Sequence, residues 1–136
     1  AGLDLPWKMH GRGLTPLLTN PERKDWNSPL LLAHTGMSFG ENCDVVIEMK
    51  DDPIYQKQRV PWWISLRTDR YKYIRNLLPG ETEELYDMKN DPDEIRNLAI
   101  GKDHLTLLRK LRKKTIRELQ KTDCAFAQKM PHVQYP

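Results

Sequence analysis

The clearest alternation of apolar and polar positions lies at residues 62–76. Trp62, Ile64 and Leu66 fall on one side of an extended chain, because side chains alternate with a period of two. The polar residues at 68–69 are typical of a tight turn, after which a second stretch of aromatic and apolar residues begins. We therefore predict a β-hairpin over 62–76.

Two further segments extend this hairpin into a sheet. Residues 30–34 are a continuous apolar run of strand length, which predicts a strand covered on both faces. The pattern of residues 84–87 predicts another strand after the hairpin. Residues 44–49 are predicted to form either a short strand or an irregular segment. The pattern thus predicts an antiparallel sheet of about four strands.

A short helix is predicted to follow the last strand. Asp91 can accept hydrogen bonds from amides of a first helical turn, and Pro92 suits the first helical position. Glu94 stands three residues after this cap, as in a capping box. We expect the helix to end near residues 97–99.

A long helix is predicted from about residue 103 to residue 121, because leucines recur there at steps of three and four. These leucines should lie across the sheet, while the basic residues at 109–110 and 112–114 face solvent. The predicted fold class is α+β, with this helix packed on one face of the antiparallel sheet.

The flanking segments have weaker patterns. Residues 1–28 are predicted to be a connector that contains a short helical turn, whose three leucines at 14–18 should pack against another surface. Residues 29–121 form the predicted folded unit. Residues 122–136 have no clear period and are predicted to be a wrapping or loose tail.

The amino-acid composition restricts the classes of partner that the chain is expected to bind. The 136 residues are 38% hydrophobic and 30% charged, which is typical of one globular domain. The net charge of +3 gives no strong case for nucleic acid, and no apolar run approaches the roughly 20 residues of a membrane helix. We therefore predict neither a nucleic-acid nor a membrane partner. Cys43 and Cys124 permit one disulfide at most.

A series of short motifs occurs in a fixed order along the chain. These are Gly-Leu-x-x-Pro at 2–6, Gly-Arg-x-Leu-x-Pro-Leu-Leu at 11–18, Arg-Thr-x-x-Tyr-Lys-Tyr-Ile at 67–74, Glu-Leu-Tyr-Asp at 84–87, Asp-Pro-x-Glu at 91–94 and Asn-Leu at 97–98. Over about residues 1–121 this series resembles the C-terminal subdomain of formylglycine-dependent sulfatases of the alkaline phosphatase superfamily. Each motif is weak alone, but the ordered set is specific.

The resemblance implies that the chain is a piece of a longer sulfuric ester hydrolase. Its first residues show no initiator Met and no signal peptide, in keeping with that expectation. The partner would be an N-terminal catalytic domain of the same protein, acting on a sulfated sugar or another organic sulfate. Such parents are expected to be periplasmic or secreted.

The resemblance also implies where the chemistry lies. Sulfatases carry formylglycine within a Cys/Ser-x-Pro-x-Arg motif, together with a calcium ion held by carboxylates. This sequence has no such motif, and Asp51 and Asp52 are better explained as solvated carboxylates. We therefore expect no catalytic and no metal-binding residue here, no activity of the chain alone, and calcium and formylglycine in the parent.

Three residues are candidates for substrate contact in the parent. His34 ends a predicted strand before a glycine-containing loop, and the resemblance places this end near the active-site rim. Trp62 and Trp63 are adjacent, so they face opposite ways; one belongs to the core, and the other could stack on a sugar or aryl ring or meet the catalytic domain. The alternative for His34 is a hydrogen-bonded structural role.

Most other motif residues have a structural explanation. Tyr71, Tyr73 and Tyr86 can bury their rings and keep their hydroxyls in water. The cations at 67 and 72 can pair across strands with the carboxylates at 84 or 87.

Two alternative functions remain open from the sequence. The parent could hydrolyse phosphonate or phosphate esters, because the shared C-terminal pattern does not report which ester is cut. The chain could instead be a stand-alone binding module. An exposed apolar interface would also favour a homo-oligomer of the isolated chain.

Overall fold

The computed structural model describes residues 10–26, 29–35, 62–78 and 80–133. Its centre is an antiparallel sheet in the order β1-β2-β3-β4, with strands Leu30–His34, Trp63–Arg67, Tyr71–Asn76 and Glu84–Asp87. Among the described residues, the α-helices are α1 at Thr15–Thr19 and α2 at Leu105–Gln120. The same residues include four 3-10 turns, at Lys24–Trp26, Leu98–Ile100, Lys102–His104 and Ala125–Gln128. The predicted α+β fold is confirmed; residues 44–49 lie outside the described residues.

The β2–β3 hairpin is closed by a threonine. The Thr68 amide donates to the Tyr71 carbonyl at 2.8 Å, and the Tyr71 amide donates to Thr68 Oγ1 at 3.0 Å. A hydroxyl that accepts from a backbone amide in this way fixes the turn locally. The hairpin predicted over 62–76 is thereby confirmed, with Leu66 opposite Tyr73 in the register.

The core lies between one face of the sheet, here called the inner face, and α2. Side chains from three strands on this face are fully buried, namely Ile64, Leu66, Tyr73 and Leu85. The buried residues that α2 contributes are Leu108, Leu111, Arg112, Thr115 and Leu119. The predicted stripe of α2 is therefore confirmed, and burial of this apolar area is the main stabilising term.

The short helix predicted after β4 is wrong. Residues 91–97 form turns, and Asp91 caps them by accepting from the amides of Ile95 at 3.0 Å and Arg96 at 2.9 Å. Glu94 has a φ of 58°, in the left-handed region that breaks a right-handed helix. This conformation accompanies an ion pair of Glu94 with Lys72 at 2.6 Å, which a helical capping box would not make.

Asn97 ties the segment after β4 to the sheet. Its side-chain oxygen accepts from the amides of Leu85 at 3.0 Å and Ala99 at 2.9 Å, and its amide nitrogen donates to the carbonyl of Glu83 at 2.9 Å. One side chain thus satisfies three backbone groups at the sheet edge. This explains the Asn of the Asn-Leu motif without catalysis.

The described structure leaves several leucines exposed, contrary to two predictions. Leu30 and Leu32 of β1 are 55% and 47% exposed, so the expected coverage of this strand on both faces is wrong. The reason is that β1 is an edge strand of the sheet and α2 packs on the inner face alone. Leu14 and Leu18 of the first helical turn are also exposed, which contradicts their predicted packing.

The C-terminal segment wraps onto the core. Phe126 is buried in the same cluster as Ile64 and Leu119, and the Arg75 guanidinium donates to the Pro131 carbonyl. Of the two behaviours predicted for residues 122–136, wrapping is the one seen up to residue 133. Among the described helices, none is long and apolar enough to cross a membrane.

Candidate functional site

The side of the sheet opposite α2, here called the outer face, carries the candidate site. Because side chains alternate along each strand, every second residue points to this face. Its half-exposed or partly buried apolar and aromatic members are Leu30, Leu32, His34, Trp63, Ile74 and Tyr86. Leu30 and Leu32 are the exposed members, and exposed apolar side chains that lie together indicate a surface that contacts another protein surface or a ligand.

His34 and Trp63 form a stacked pair at one end of the outer face. They are directly opposite in the β1–β2 register, their ring centroids are 5.6 Å apart, and their planes are inclined by 25°. Both side chains are half-buried. The structure thus brings two of the three predicted substrate residues together as a stacked aromatic pair, here called the His34–Trp63 platform.

Trp62 lies on the other side of the sheet, as the alternation predicts. It is 3% exposed and packs with Ile64, Leu77 and Phe126. Its indole Nε1 is buried and has no hydrogen-bond acceptor among the described residues. Trp62 is therefore the core member of the adjacent pair, and its ring has no open face on which a substrate could stack.

The far end of the outer face is polar. Besides the ion pair of Lys72 with Glu94, the Tyr86 hydroxyl donates to Glu84 Oε2 at 2.7 Å. Burial, and then this bond to a carboxylate, raise the pKa of Tyr86 to about 12. Tyr86 is therefore a neutral hydrogen-bond donor at physiological pH and not a base.

The cross-strand ion pairs expected from the sequence are wrong. Asp87 binds Arg70, from Arg70 Nε at 3.0 Å and Nη2 at 2.6 Å, and Asn90 also donates to it. The bond from Arg70 holds the pKa of Asp87 well below its ordinary value of 3.8. Arg67 instead donates to the Thr68 carbonyl at 2.7 Å. The turn brings Arg70 back over the end of β4, which the strand alternation alone does not reveal.

A buried polar network crosses the inner face. Arg112 of α2 donates from Nε to both oxygens of Glu83, at 3.0 and 3.1 Å, and the Tyr73 hydroxyl donates to the same carboxylate. The predicted solvent position of Arg112 and the predicted wet hydroxyl of Tyr73 are therefore both wrong. Burial, followed by the Glu83 charge, raises the pKa of Tyr73. The network is closed to solvent, so its role is to hold α2 on the sheet.

Metal-ligating residues are not gathered in the part of the chain that the structure describes. Within it, no group of three or more His, Cys, Asp or Glu side chains could hold an ion. Cys43, Asp51 and Asp52 lie outside the described residues.

Comparison with protein families gives a match over residues 54–122. The matching family is described as N-sulphoglucosamine sulphohydrolase, C-terminal. The match includes β2, β3, β4 and α2, and hence the Trp63 side of the aromatic platform. No curated protein matches the chain by sequence.

Solved structures similar to this chain include two bacterial proteins and a complex. The sulfatase-type protein yidJ of Bacteroides fragilis is 23% identical over 86% of this chain, with a TM-score of 0.56. BT4656, solved with its substrate D-glucosamine-2-N,6-O-disulfate, is 22% identical over 91% of this chain, also with a TM-score of 0.56. A sulfatase-type protein of Bacteroides thetaiotaomicron is 33% identical over 49% of the chain, with a TM-score of 0.46. The chain spans 21%, 23% and 14% of these proteins, respectively.

Proposed function

The chain belongs to the N-sulphoglucosamine sulphohydrolase C-terminal family, and on that premise we propose that it completes an enzyme that hydrolyses sulfate esters or sulfamates of sugars. The observation that carries this proposal is the family match through strands β2, β3 and β4 and the long helix. The proposed substrate is a sulfated glucosamine, the compound class that the family description and the BT4656 complex share.

The proposed partner is a catalytic domain that docks on the outer face. Leu30 and Leu32, about half exposed on β1, supply the apolar area for such a contact. Inter-domain contacts commonly bury patches of this kind between separately folded units. Self-association of the isolated chain through the same patch, and a periplasmic or secreted parent, both stay predictions.

The described residues do not fit a calcium site, and the sequence does not fit a formylglycine site. The sequence contains no Cys/Ser-x-Pro-x-Arg motif, and the described residues bring together no cluster of metal ligands. We therefore assign calcium and the formylglycine nucleophile to the catalytic domain, and no step of the reaction to a residue of this chain.

The isolated chain is expected to leave an aryl sulfate intact, because it holds no nucleophile of the sulfatase type. The measurement is release of the phenol, with calcium and with a chelator, using an active sulfatase as the positive control. Turnover above the buffer rate would contradict the assignment.

Assaying the intact enzyme on matched aryl sulfate, phosphate and phosphonate esters separates the two ester classes. A preference for the phosphorus esters would favour the alternative hydrolase.

Within this function we propose that the His34–Trp63 platform stacks on the sugar ring of the substrate. The two rings are stacked on each other, half-buried and held by direct cross-strand pairing, so the pair is already ordered and little entropy is lost when it contacts a sugar ring. An aromatic surface contributes to binding and orientation, whereas the sulfate group is left to the catalytic domain.

Trp63→Ala in the intact enzyme is expected to raise KM for a glucosamine sulfate by about three- to tenfold, because one stacked ring contributes roughly 0.5–1.5 kcal/mol. His34→Ala should have a smaller effect in the same direction, and kcat should change less than KM in both variants. Trp26→Ala is the matched control, since Trp26 is also half-buried but lies on a 3-10 turn outside the sheet. Unchanged KM values in both platform variants would contradict the proposal.

A further inference from the structure

The solvent side of α2 carries a continuous basic surface. The exposed side chains Arg109, Lys110, Lys113 and Arg117, together with Thr106, line a shallow groove of about 310 Å³. From residue 105 to residue 117 the sequence has six lysines and arginines and no aspartate or glutamate. One of the six, Arg112, turns inward to Glu83. We call the four exposed cations the basic face.

The helix geometry places these charges close together. Residues 110, 113 and 117 are three and four positions apart and therefore form one row, and the basic face spans roughly 12 Å along the axis. The buried stripe of Leu108, Leu111 and Thr115 fixes the opposite side of the helix against the sheet. The basic face consequently points away from the domain.

Within the described part of the chain, carboxylates do not neutralise the row of Lys110, Lys113 and Arg117. Among the described residues, no carboxylate forms an ion pair with Lys110, Lys113 or Arg117, and Glu118 on the next turn binds Lys121 at 2.8 Å. Like charges at these spacings destabilise a helix, and exposed helix faces that only interact with water usually mix both signs. A row of three like charges with no ion-pair partner among the described residues favours an anionic partner.

We propose that the basic face binds a sulfated polysaccharide chain. This inference rests on the proposed function, in which the substrate is a sulfated sugar. Lysine and arginine bind tetrahedral oxyanions through charge-assisted hydrogen bonds, and a row of them matches a polymer with repeated sulfate groups. Residues 105–117 include no aromatic side chain on which a nucleic-acid base could stack, which favours the polysaccharide.

The position of the basic face assigns it a docking role. It lies on the far side of α2, while the His34–Trp63 platform lies on the outer face of the sheet, on the other side of the domain. A single sugar ring cannot touch both. The basic face therefore retains a long sulfated polymer near the enzyme and raises its local concentration, without contacting the reacting group.

The test measures binding of heparin oligosaccharides to the full chain. The variant Lys110→Gln/Lys113→Gln/Arg117→Gln removes three cations from the basic face. The control Lys24→Gln/Lys89→Gln/Lys129→Gln removes the same charge from exposed lysines elsewhere. We expect the first variant to weaken binding about tenfold and to lower the slope of log Kd against log salt by about three. The control should change Kd by less than about threefold, because distant exposed charges are screened by salt.

Three outcomes would overturn the proposal. The first is an equal loss of heparin affinity in the basic-face variant and in the control. The second is absence of heparin binding by the unmodified chain at about 50 mM salt. The third is that single-stranded DNA of equal charge binds as tightly as heparin and loses the same affinity in the basic-face variant. Circular dichroism and unfolding of both variants must first match those of the unmodified chain. Binding is measured without catalysis, so a failure of the proposed sulfatase function would appear only in the hydrolysis assays.

Discussion

Glu83→Ala is expected to lower the free energy of unfolding by about 3–5 kcal/mol, because it leaves a buried guanidinium without its carboxylate. The side chains of Arg112 and Glu83 are only 10% and 7% exposed. Arg112 reaches both carboxylate oxygens, and the Tyr73 hydroxyl donates to one of them. Loss of Glu83 therefore removes the acceptors of two buried donors at once, in a contact between α2 and the sheet.

A set of matched variants separates the cost of an unpaired charge from the value of the pair. Glu118→Ala removes a carboxylate whose partner, Lys121, is 68% exposed, so it should cost less than about 1 kcal/mol. Replacing the whole network with Glu83→Leu, Arg112→Met and Tyr73→Phe should recover much of the loss, because no buried polar group then stays unpaired. Urea midpoints with unchanged m-values measure these differences. A Glu83→Ala loss no larger than that of Glu118→Ala would contradict the buried-pair assignment.

The parts of the fold that depend on local periodicity could be predicted from the sequence. Alternation at 62–76 predicted the hairpin, and leucine spacing predicted α2, because each pattern repeats within one element. The helix at 91–97 failed because Glu94 adopts a left-handed conformation and pairs with Lys72, a residue of another strand. Such a tertiary contact overrides the local capping signal.

Pairings between distant residues could not be predicted in the same way. Arg112 stands within a basic run that predicts exposure to solvent. Its partner Glu83 precedes it by 29 positions. One available signal was its spacing, since residue 112 lies four positions after Leu108 and next to Leu111, at the border of the buried stripe. For the candidate site, alternation predicted that Trp62 and Trp63 face opposite ways. Only the packing of α2 and Phe126 shows which of them is buried.

The sheet and α2 together present three distinct surfaces. The inner face and α2 form the core, the outer face offers Leu30 and Leu32 together with the His34–Trp63 platform, and the solvent side of α2 carries the basic face. Because α2 uses opposite sides for the core and for the basic face, changes in its exposed cations should leave the sheet intact. Changes in the core should instead disturb all three surfaces.

Trp62→Ala is expected to lower the free energy of unfolding by about 3–5 kcal/mol, because it opens a cavity in the cluster of Ile64, Leu119 and Phe126. Trp63→Ala removes a ring that is only half-buried on the outer face and should cost markedly less. Both variants replace a tryptophan by alanine at adjacent positions. The difference between their free energies of unfolding therefore measures the effect of burial and not of the residue type removed. Urea unfolding of the two variants, followed by circular dichroism, measures it.

Trp62→Phe tests the contribution of the buried indole N–H at the same position. The Trp62 indole Nε1 is buried with no acceptor among the described residues, and such an orphan donor costs about 1–3 kcal/mol. Phenylalanine removes that donor and keeps most of the apolar ring, so the cavity cost and the relieved N–H should nearly cancel, leaving stability within about 1 kcal/mol. If Trp62→Phe proved as damaging as Trp62→Ala while Trp63→Ala also destabilised strongly, the division between a core tryptophan and a platform tryptophan would be wrong. A large loss of stability for Trp62→Ala and a small one for Trp63→Ala is the result that the alternating strand requires.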